Sequence, residues 1–160
     1  MPEFSAGEGS VRLILDAQES QLLKQLTDEY RAVVTTERSG PVHDRLYPAA
    51  YADEKDESSY RELTEDDLTT HKLEALEKVR SSVGRRQSDI HISDDDLDAW
   101  LSCLTDIRLA IGTRLGVDEQ RMSERVSPRD PDAAALSVIH WLGWITEGLI
   151  KARTDRLSTP

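Results

Sequence analysis

The sequence predicts a mainly α-helical protein, a compact bundle of about four long helices with a small two-stranded β ribbon. Four segments carry apolar residues at helical spacing. Two short runs, Val11–Leu15 and Asp89–Ser93, look like strands. The length of 160 residues fits one domain that can bury a core without disulfides. We expect this helical domain to cover residues 11–154, between a mobile N-terminus over residues 1–10 and a C-terminal tail over residues 155–160.

The first strand leads directly into the first helix. Val11–Leu15 reads VRLIL, and Asp16 and Glu19 follow it at the spacing of a capping box, with Asp as the cap. The helix is therefore expected from about Ala17 to Thr36. Its apolar face consists of Leu22, Leu23, Leu26, Tyr30, Val33 and Val34.

A long loop is predicted between this helix and the next. It is punctuated by residues that break regular elements, namely Gly40, Pro41 and Pro48. Leu46, Tyr47 and Tyr51 are expected to tie the loop to the core. The acidic run Asp53–Ser59 has no apolar residue, and we expect it to face solvent. A calcium-binding loop is not expected there, because the usual ligand spacing with its central glycine is absent.

The second long helix is expected from about Ser59 to Val83. Its apolar side consists of Leu68, Leu73, Leu76, Val79 and Val83. Gly84 suits the left-handed position that follows a helix end. The strand-like run Asp89–Ser93 comes next, and it most simply pairs with Val11–Leu15 to form the ribbon.

The third long helix is expected from about Asp94 to Leu115, and Gly116 ends it. Ser93 is a cap, and the three aspartates after it favour the positive end of the helix. Those aspartates are not expected to bind a metal, because consecutive helix positions point about 100° apart. The apolar stripe consists of Leu97, Trp100, Leu101, Leu104, Ile107, Ile111 and Leu115.

The last long helix is expected from about Ala133 to Arg153, after a polar connection with a short helical turn near Glu119–Arg125. Apolar residues of SVIHWLGWITEGLIKA cover most of its circumference, which is typical of a central core helix. The stretch is not expected to cross a membrane, because polar residues interrupt it before the roughly 18 residues of a span.

Two glycines inside predicted helices are expected to lie near helix-crossing points. Gly143 costs about 1 kcal/mol against alanine in a helix interior, so the close approach of a neighbouring helix is the expected offset. Gly112 in LAIGTRLG has the same character. His140, beside Trp141, is expected to be a satisfied core or boundary histidine.

The charge distribution argues against general nucleic-acid binding. The formal net charge is −11, and such a field repels phosphate backbones. Most of this charge lies before residue 71, so any contact with a polyanion is expected in the second half. One basic cluster there consists of Arg80, Arg85 and Arg86. It can stabilise the end of the second helix, or it can contact an anion, DNA or a partner.

The sequence lacks the usual motifs of catalysis and cofactor binding. The four histidines have no metal-ligand spacing, and neither a phosphate-binding glycine loop nor a nucleophile elbow is present. We therefore expect neither enzymatic activity nor a metal or cofactor. The single cysteine, Cys103, lies between Trp100 and Ile107 on the apolar stripe, so it is predicted to be a buried structural thiol and not a redox site.

Four blocks of the chain resemble a known actinobacterial family. In order, they are PVHDRLYPAAY, YRELTEDDLTTHKLEALEKVRSSV, ISDDDLDAWLSCLTDIRLAIGTRLGV and AAALSVIHWLGWITEGLIKA. The family is a domain of unknown function encoded near the Clp adaptor and cysteine-biosynthesis genes, and it includes redox-stress regulators of the AosR type. The resemblance extends from about Val11 to Ala152, and DIRLAIGTRLGV, residues 106–117, is its most specific block.

The resemblance implies a regulator of redox-stress transcription that acts with a sigma factor. In such regulators an N-terminal cysteine pair is the switch, whereas the segment before the first helix here contains no cysteine. The disulfide switch therefore cannot be the same. Arg108 and Arg114 lie in the family-like block, where they can pair with acids of neighbouring segments or face a partner.

The expected function is therefore that of a cytoplasmic, non-enzymatic regulator that binds a protein partner, such as a sigma factor or RNA polymerase. Two alternatives remain open. One is a DNA-binding repressor that uses the basic cluster, and the other is an accessory factor in Clp proteolysis. A homodimer is possible, and no membrane partner is expected.

Overall fold

The computed structural model describes residues 1–37, 39–47, 57–117, 120 and 124–158. It confirms a mainly α-helical fold with a small antiparallel sheet. The described elements in chain order are β1 (Glu3–Gly7), β2 (Ser10–Leu15), α1 (Ala17–Thr36), α2 (Pro41–Leu46), α3 (Glu57–Ser82), β3 (Ser88–Ser93), α4 (Asp94–Leu115) and α5 (Ala133–Ser158). The four long helices are present as predicted, and the short helix α2 makes five in the described ranges.

The sheet has three strands in the order β1-β2-β3, so the prediction of a two-stranded ribbon is wrong. The expected pairing of β2 with β3 is present, with Leu13 opposite Ile90. The additional strand, β1, lies in the segment expected to be mobile. A two-residue turn with Gly9 at φ +65° folds β1 onto β2, a conformation that glycine adopts without strain.

The first helix begins as predicted. The Asp16 carboxylate accepts a hydrogen bond from the Glu19 backbone N–H at 2.8 Å, and the Glu19 carboxylate accepts one from the Asp16 N–H at 3.0 Å. This capping box fixes the start of α1 immediately after β2. The buried face consists of Ser20, Leu23, Leu26, Thr27, Tyr30, Val33 and Val34.

The predicted loop after α1 contains the short helix α2. Gly40, at φ +106°, turns the chain, and Pro41 starts the helix at a position where its missing N–H costs nothing. Leu46 and Tyr47 are buried, as expected for residues that tie this segment to the core. Tyr51 and the first four residues of the acidic run, 53–56, lie outside the described residues. The helix α3 already begins at Glu57.

The start of α4 is linked to the end of α5 beside the sheet. The Ser93 hydroxyl accepts a hydrogen bond from the Asp96 N–H at 3.2 Å at the start of α4, and Gly116, at φ +70°, ends this helix. The helix α5 continues to Ser158, beyond the predicted end at Arg153. Arg156 accounts for the extension, because its guanidinium donates to both Asp94 carboxylate oxygens at 2.6 Å and to the Ser10 carbonyl at 3.0 Å.

The apolar side of α5 packs against α4, β1 and β2. By length and composition alone, residues Ala133–Leu157 are apolar enough to cross a membrane, but a core helix of a soluble protein passes the same test. Its fully buried side chains are Leu136, Ile139, Leu142, Ile145 and Leu149. The helix was expected to be a central core helix, but part of its apolar surface faces solvent, because Trp144 is 45% exposed and Ile150 is 43% exposed.

The closest approach to a glycine of α5 occurs at Gly148. A Cβ atom on Gly148 would lie 2.3 Å from the Phe4 ring of β1, so that ring packs directly on the helix backbone. Gly143 does face α4, but a Cβ atom there would meet the Arg108 guanidinium at an ordinary 3.6 Å. Gly112, the other predicted crossing residue, is buried within α4.

Candidate functional site

The predicted basic cluster is divided in the structure. The Arg80 guanidinium lies 2.9 Å from an Asp28 carboxylate oxygen and thereby links α3 to α1. Arg85 and Arg86 are exposed in the turn between α3 and β3. Neither makes an ion pair with any residue that the structure describes. The cluster therefore contains one arginine with a structural partner and two that are available to a ligand.

The two arginines of the family-like block have different surroundings. The Arg114 guanidinium donates to Glu37 at 3.1 Å and joins the ends of α4 and α1. The Arg108 guanidinium covers Gly143 on α5. Its Nε atom is buried and has no hydrogen-bond partner among the described atoms. Arg114 thus has the structural pairing considered from the sequence, whereas Arg108 acts mainly through packing.

The thiol of Cys103 is buried, with 1% of the residue exposed, as predicted. Burial, and to a smaller extent the nearby Asp106 carboxylate, raise the pKa of this thiol from the ordinary 9.0 to about 12. The thiol is therefore protonated at pH 7. Since the thiolate is the reactive form, Cys103 is a poor nucleophile in the folded protein.

A largely buried group of polar residues near Cys103 joins α4 to α1 and α3, and we call it the polar junction: Tyr30, Lys72 and Asp106. One Asp106 carboxylate oxygen accepts hydrogen bonds from the Tyr30 hydroxyl and the Lys72 ammonium, both at 2.6 Å. The side chains of Lys72 and Asp106 are each 13% exposed. Burial raises the pKa of Tyr30, and the Asp106 charge adds to this shift.

Aromatic residues enclose the polar junction on its α2 side. The hydroxyl groups of Tyr47 and Thr69 share a hydrogen bond of 2.6 Å. The Lys72 ammonium lies 5.5 Å from the centre of the Tyr47 ring. His43 stacks on Tyr47 with the ring centres 4.7 Å apart. The junction is thus a satisfied, closed network that fixes how α1, α3 and α4 meet. No sequence motif indicated this network. The visible signals were Tyr30 within the apolar face of the first helix and Asp106 next to the apolar stripe of the third long helix.

An open groove of about 470 Å³ lies between β1 and α5, and we call it the edge groove. Phe4 and Ala6 of β1 form one wall. The other wall is a stripe of α5 that contains Trp144, Glu147 and Lys151. This groove combines an exposed aromatic surface, charged side chains and a strand at the edge of a sheet, which are features of protein-binding surfaces.

Comparison with known proteins links the chain to a family and to regulators. The sequence profile of a family described as a domain of unknown function, DUF2017, matches residues 1–153. The chain is 28% identical over 93 residues to the oxidative stress regulator AosR of Mycobacterium tuberculosis (strain ATCC 25618 / H37Rv), covering 58% of this chain and 42% of that protein. The corresponding regulator of Mycobacterium bovis matches to the same extent.

A third relative extends the match slightly. It is the putative oxidative stress regulator AosR of Mycobacterium leprae, which is 27% identical over 110 residues, covering 68% of this chain and 50% of that protein. The chain therefore spans half or less of the length of these curated relatives. No solved structure matches the chain.

Proposed function

Because this chain belongs to the DUF2017 family, we propose that it is a non-enzymatic regulator of the oxidative stress response. It acts in the cytoplasm, and it changes transcription by binding a protein partner such as a sigma factor or RNA polymerase. The observation that carries the proposal is the similarity to regulators named for oxidative stress. The edge groove and the acidic net charge of −11 support protein binding over DNA binding.

In this proposal the chain does not sense the oxidant through its own thiol. A cysteine switch needs a reactive thiolate and a second thiol within reach. Cys103 is the single cysteine of the chain, and its thiol is buried and protonated at neutral pH. We place the oxidant-sensitive group in the partner, so that this chain alters what the partner does once it has been oxidised.

The test is genetic and biochemical. Deleting the gene should reduce the induction of peroxide-responsive transcripts, and a plasmid copy with Cys103→Ala should restore induction as well as the wild-type copy does. Purified protein should bind RNA polymerase or a sigma factor in sedimentation. Unchanged induction in the deletion strain, together with no binding to either protein, would overturn the proposal.

The DNA-binding alternative can be tested at the two exposed arginines. Arg85 and Arg86 lie in the same turn, whereas Arg80 is paired with Asp28 and should be left intact. We expect weak binding of duplex DNA by the isolated chain at physiological salt. Tight binding that the Arg85→Ala/Arg86→Ala variant weakens, with a flatter salt dependence, would favour a direct repressor over a partner-dependent regulator.

A further inference from the structure

No other strand in the part of the chain that the structure describes pairs with the outer edge of β1. The strand pairs with β2 on one side, with Gly7 opposite Ser10 at the turn. Gly7 and Ser10 flank a two-residue turn and so form a hydrogen-bonded pair, and the alternation of an antiparallel ladder then directs the N–H and C=O of Phe4 and Ala6 outward. Within β1, EFSAG, no lysine or proline protects this edge against another strand.

A stripe of α5 lies beside β1 in the edge groove. α5 packs on β1 and, less extensively, on β2, and Trp144 and Lys151 lie beside the outer edge of β1 in the edge groove. The Phe4 ring on Gly148 closes the inner side of the groove. A strand added to β1 would therefore lie over the Trp144–Lys151 stripe in the same way that β1 lies over Gly148.

The charges around the groove select the chemistry of such a strand. Glu147 and Asp155 line it together with one base, Lys151. Glu3 and Glu8, at the two ends of β1, are exposed and add negative charge. A basic segment complements this surface, and an arginine or apolar side chain can stack on the exposed Trp144 ring.

We propose that the edge groove binds an extended, basic segment of a protein partner as a fourth strand beside β1. The inference rests on the proposed function, for which it supplies the docking surface. A second copy of this chain fits less well, because its β1 would bring the same acidic residues.

The experiment measures the binding of a fluorescent peptide of alternating arginine and valine to the full chain, with a glutamate–valine peptide as the charge control. Ala6→Pro removes an outward N–H while leaving the β1–β2 hydrogen bonds intact, and Trp144→Ala removes the aromatic surface. Each change should weaken binding of the basic peptide about tenfold or more. Ile150→Ala is the matched control, because Ile150 is a similarly exposed apolar residue of α5 outside the groove, and it should change affinity less than about twofold.

The possible outcomes separate the docking surface from the proposed function. Equal binding of both peptides, no saturable binding, or binding that ignores Ala6→Pro and Trp144→Ala would overturn the docking surface, even if the deletion strain loses its peroxide response. A dimer in sedimentation that Ala6→Pro dissociates would also overturn it, in favour of a second copy. Selective peptide binding in a chain whose deletion leaves peroxide transcripts unchanged would retain the surface and refute the stress role. Circular dichroism and thermal melting must show that each variant is folded.

Discussion

The helix α4 meets its neighbours through two different kinds of interface. Toward α5 the contact contains an apolar patch, in which Ile111 and Leu115 pack on the buried Leu136 and Ile139. The Arg108 guanidinium over Gly143 and the Arg156–Asp94 ion pair lie outside this patch. Toward α1 and α3 the contact contains the polar junction, in which Asp106 accepts hydrogen bonds from two helices at once. Apolar contacts tolerate small shifts, whereas a shared carboxylate requires both donors to be in place. We therefore expect the polar junction to specify how the helices align more than it adds to stability.

The strongest test of this difference is Asp106→Ala. The substitution leaves the Lys72 ammonium and the Tyr30 hydroxyl without their acceptor in a nearly closed site. We expect the free energy of unfolding to fall by about 3 kcal/mol, near the lower end for a broken buried pair, because the side chains keep some exposure. Urea denaturation measures it. Asp98→Ala is the control on the same helix, because Asp98 is 84% exposed and should change stability by less than about 0.5 kcal/mol.

An apolar replacement of the whole polar junction sharpens the interpretation. A triple variant with Tyr30→Phe, Lys72→Met and Asp106→Leu removes all unpaired charge, so its stability should return close to that of the parent. Its thermal transition should be broader if the junction specifies alignment. A triple variant as unstable as Asp106→Ala would instead show that the polar contacts themselves supply the stability.

The next largest effect is expected on α5 at Gly148. A methyl group there would meet the Phe4 ring at 2.3 Å, so the ring must move out of its site. Gly148→Ala should lower the free energy of unfolding by about 1–3 kcal/mol, the usual cost of overpacking. Adding Phe4→Ala should remove the clash, so the cost of Gly148→Ala should be smaller in that background. Equal costs in both backgrounds would show that the ring is not the cause.

Gly143 should behave in the opposite way, although it lies on the same helix. A methyl group there meets the Arg108 side chain at ordinary contact distances of 3.6–3.8 Å. The gain in helix propensity should therefore dominate, and Gly143→Ala should raise the free energy of unfolding by up to about 1 kcal/mol. A loss of similar size would place Gly143, and not Gly148, at the tight contact.

The ionisation of Cys103 is expected to have the smallest effect on the free energy of unfolding at neutral pH. Its pKa is about 12 in the folded protein, against an ordinary 9.0, so the folded state holds the proton more tightly than the unfolded state does. This stabilisation is complete below about pH 9 and is lost as the pH rises toward about 12. Stability measured from pH 7 to 11 should fall above pH 9, and less steeply for Cys103→Ala. Tyr30, whose pKa is also raised, contributes to the fall that remains.

Thiol labelling completes this test. The native protein should react with a thiol reagent at pH 7 far more slowly than the urea-unfolded protein, and mild peroxide should leave its migration on a non-reducing gel unchanged. Rapid native labelling, or a dimer band that Cys103→Ser abolishes, would contradict the buried position of the thiol.

Periodic apolar patterns made the long helices predictable. Each carries enough turns for its buried face to be visible, and local signals such as the Asp16–Glu19 box and Gly116 marked their ends. The short elements β1 and α2 were missed for a physical reason. The strands β2 and β3 are as short, but β-branched residues alternating with polar ones marked them, whereas β1, EFSAG, has no β-branched residue and is held by a distant contact, that of Phe4 with Gly148. The six residues of α2 contain fewer than two turns, too few to show a helical period.

The candidate sites were less predictable than the fold. The burial of Cys103 followed from its place on the stripe of α4. The partner of Arg80 lies on another helix, and Lys72 is separated from Asp106 by 34 residues along the chain. Sequence spacing does not report such contacts, because they depend on how the helices cross. The edge groove likewise exists only once β1 is paired with β2.

The hydrogen bond from Arg156 to the Ser10 carbonyl spans 146 residues and joins the first hairpin to the last helix. At about 5–20 residues per second, a ribosome needs about 7–30 s to synthesise the intervening chain. Throughout that interval the apolar face of the hairpin, with Phe4, Val11 and Leu13, has no α5 to cover it. Folding is therefore completed only after α5 has been translated, and the nascent chain exposes the apolar face of its first hairpin for most of its synthesis.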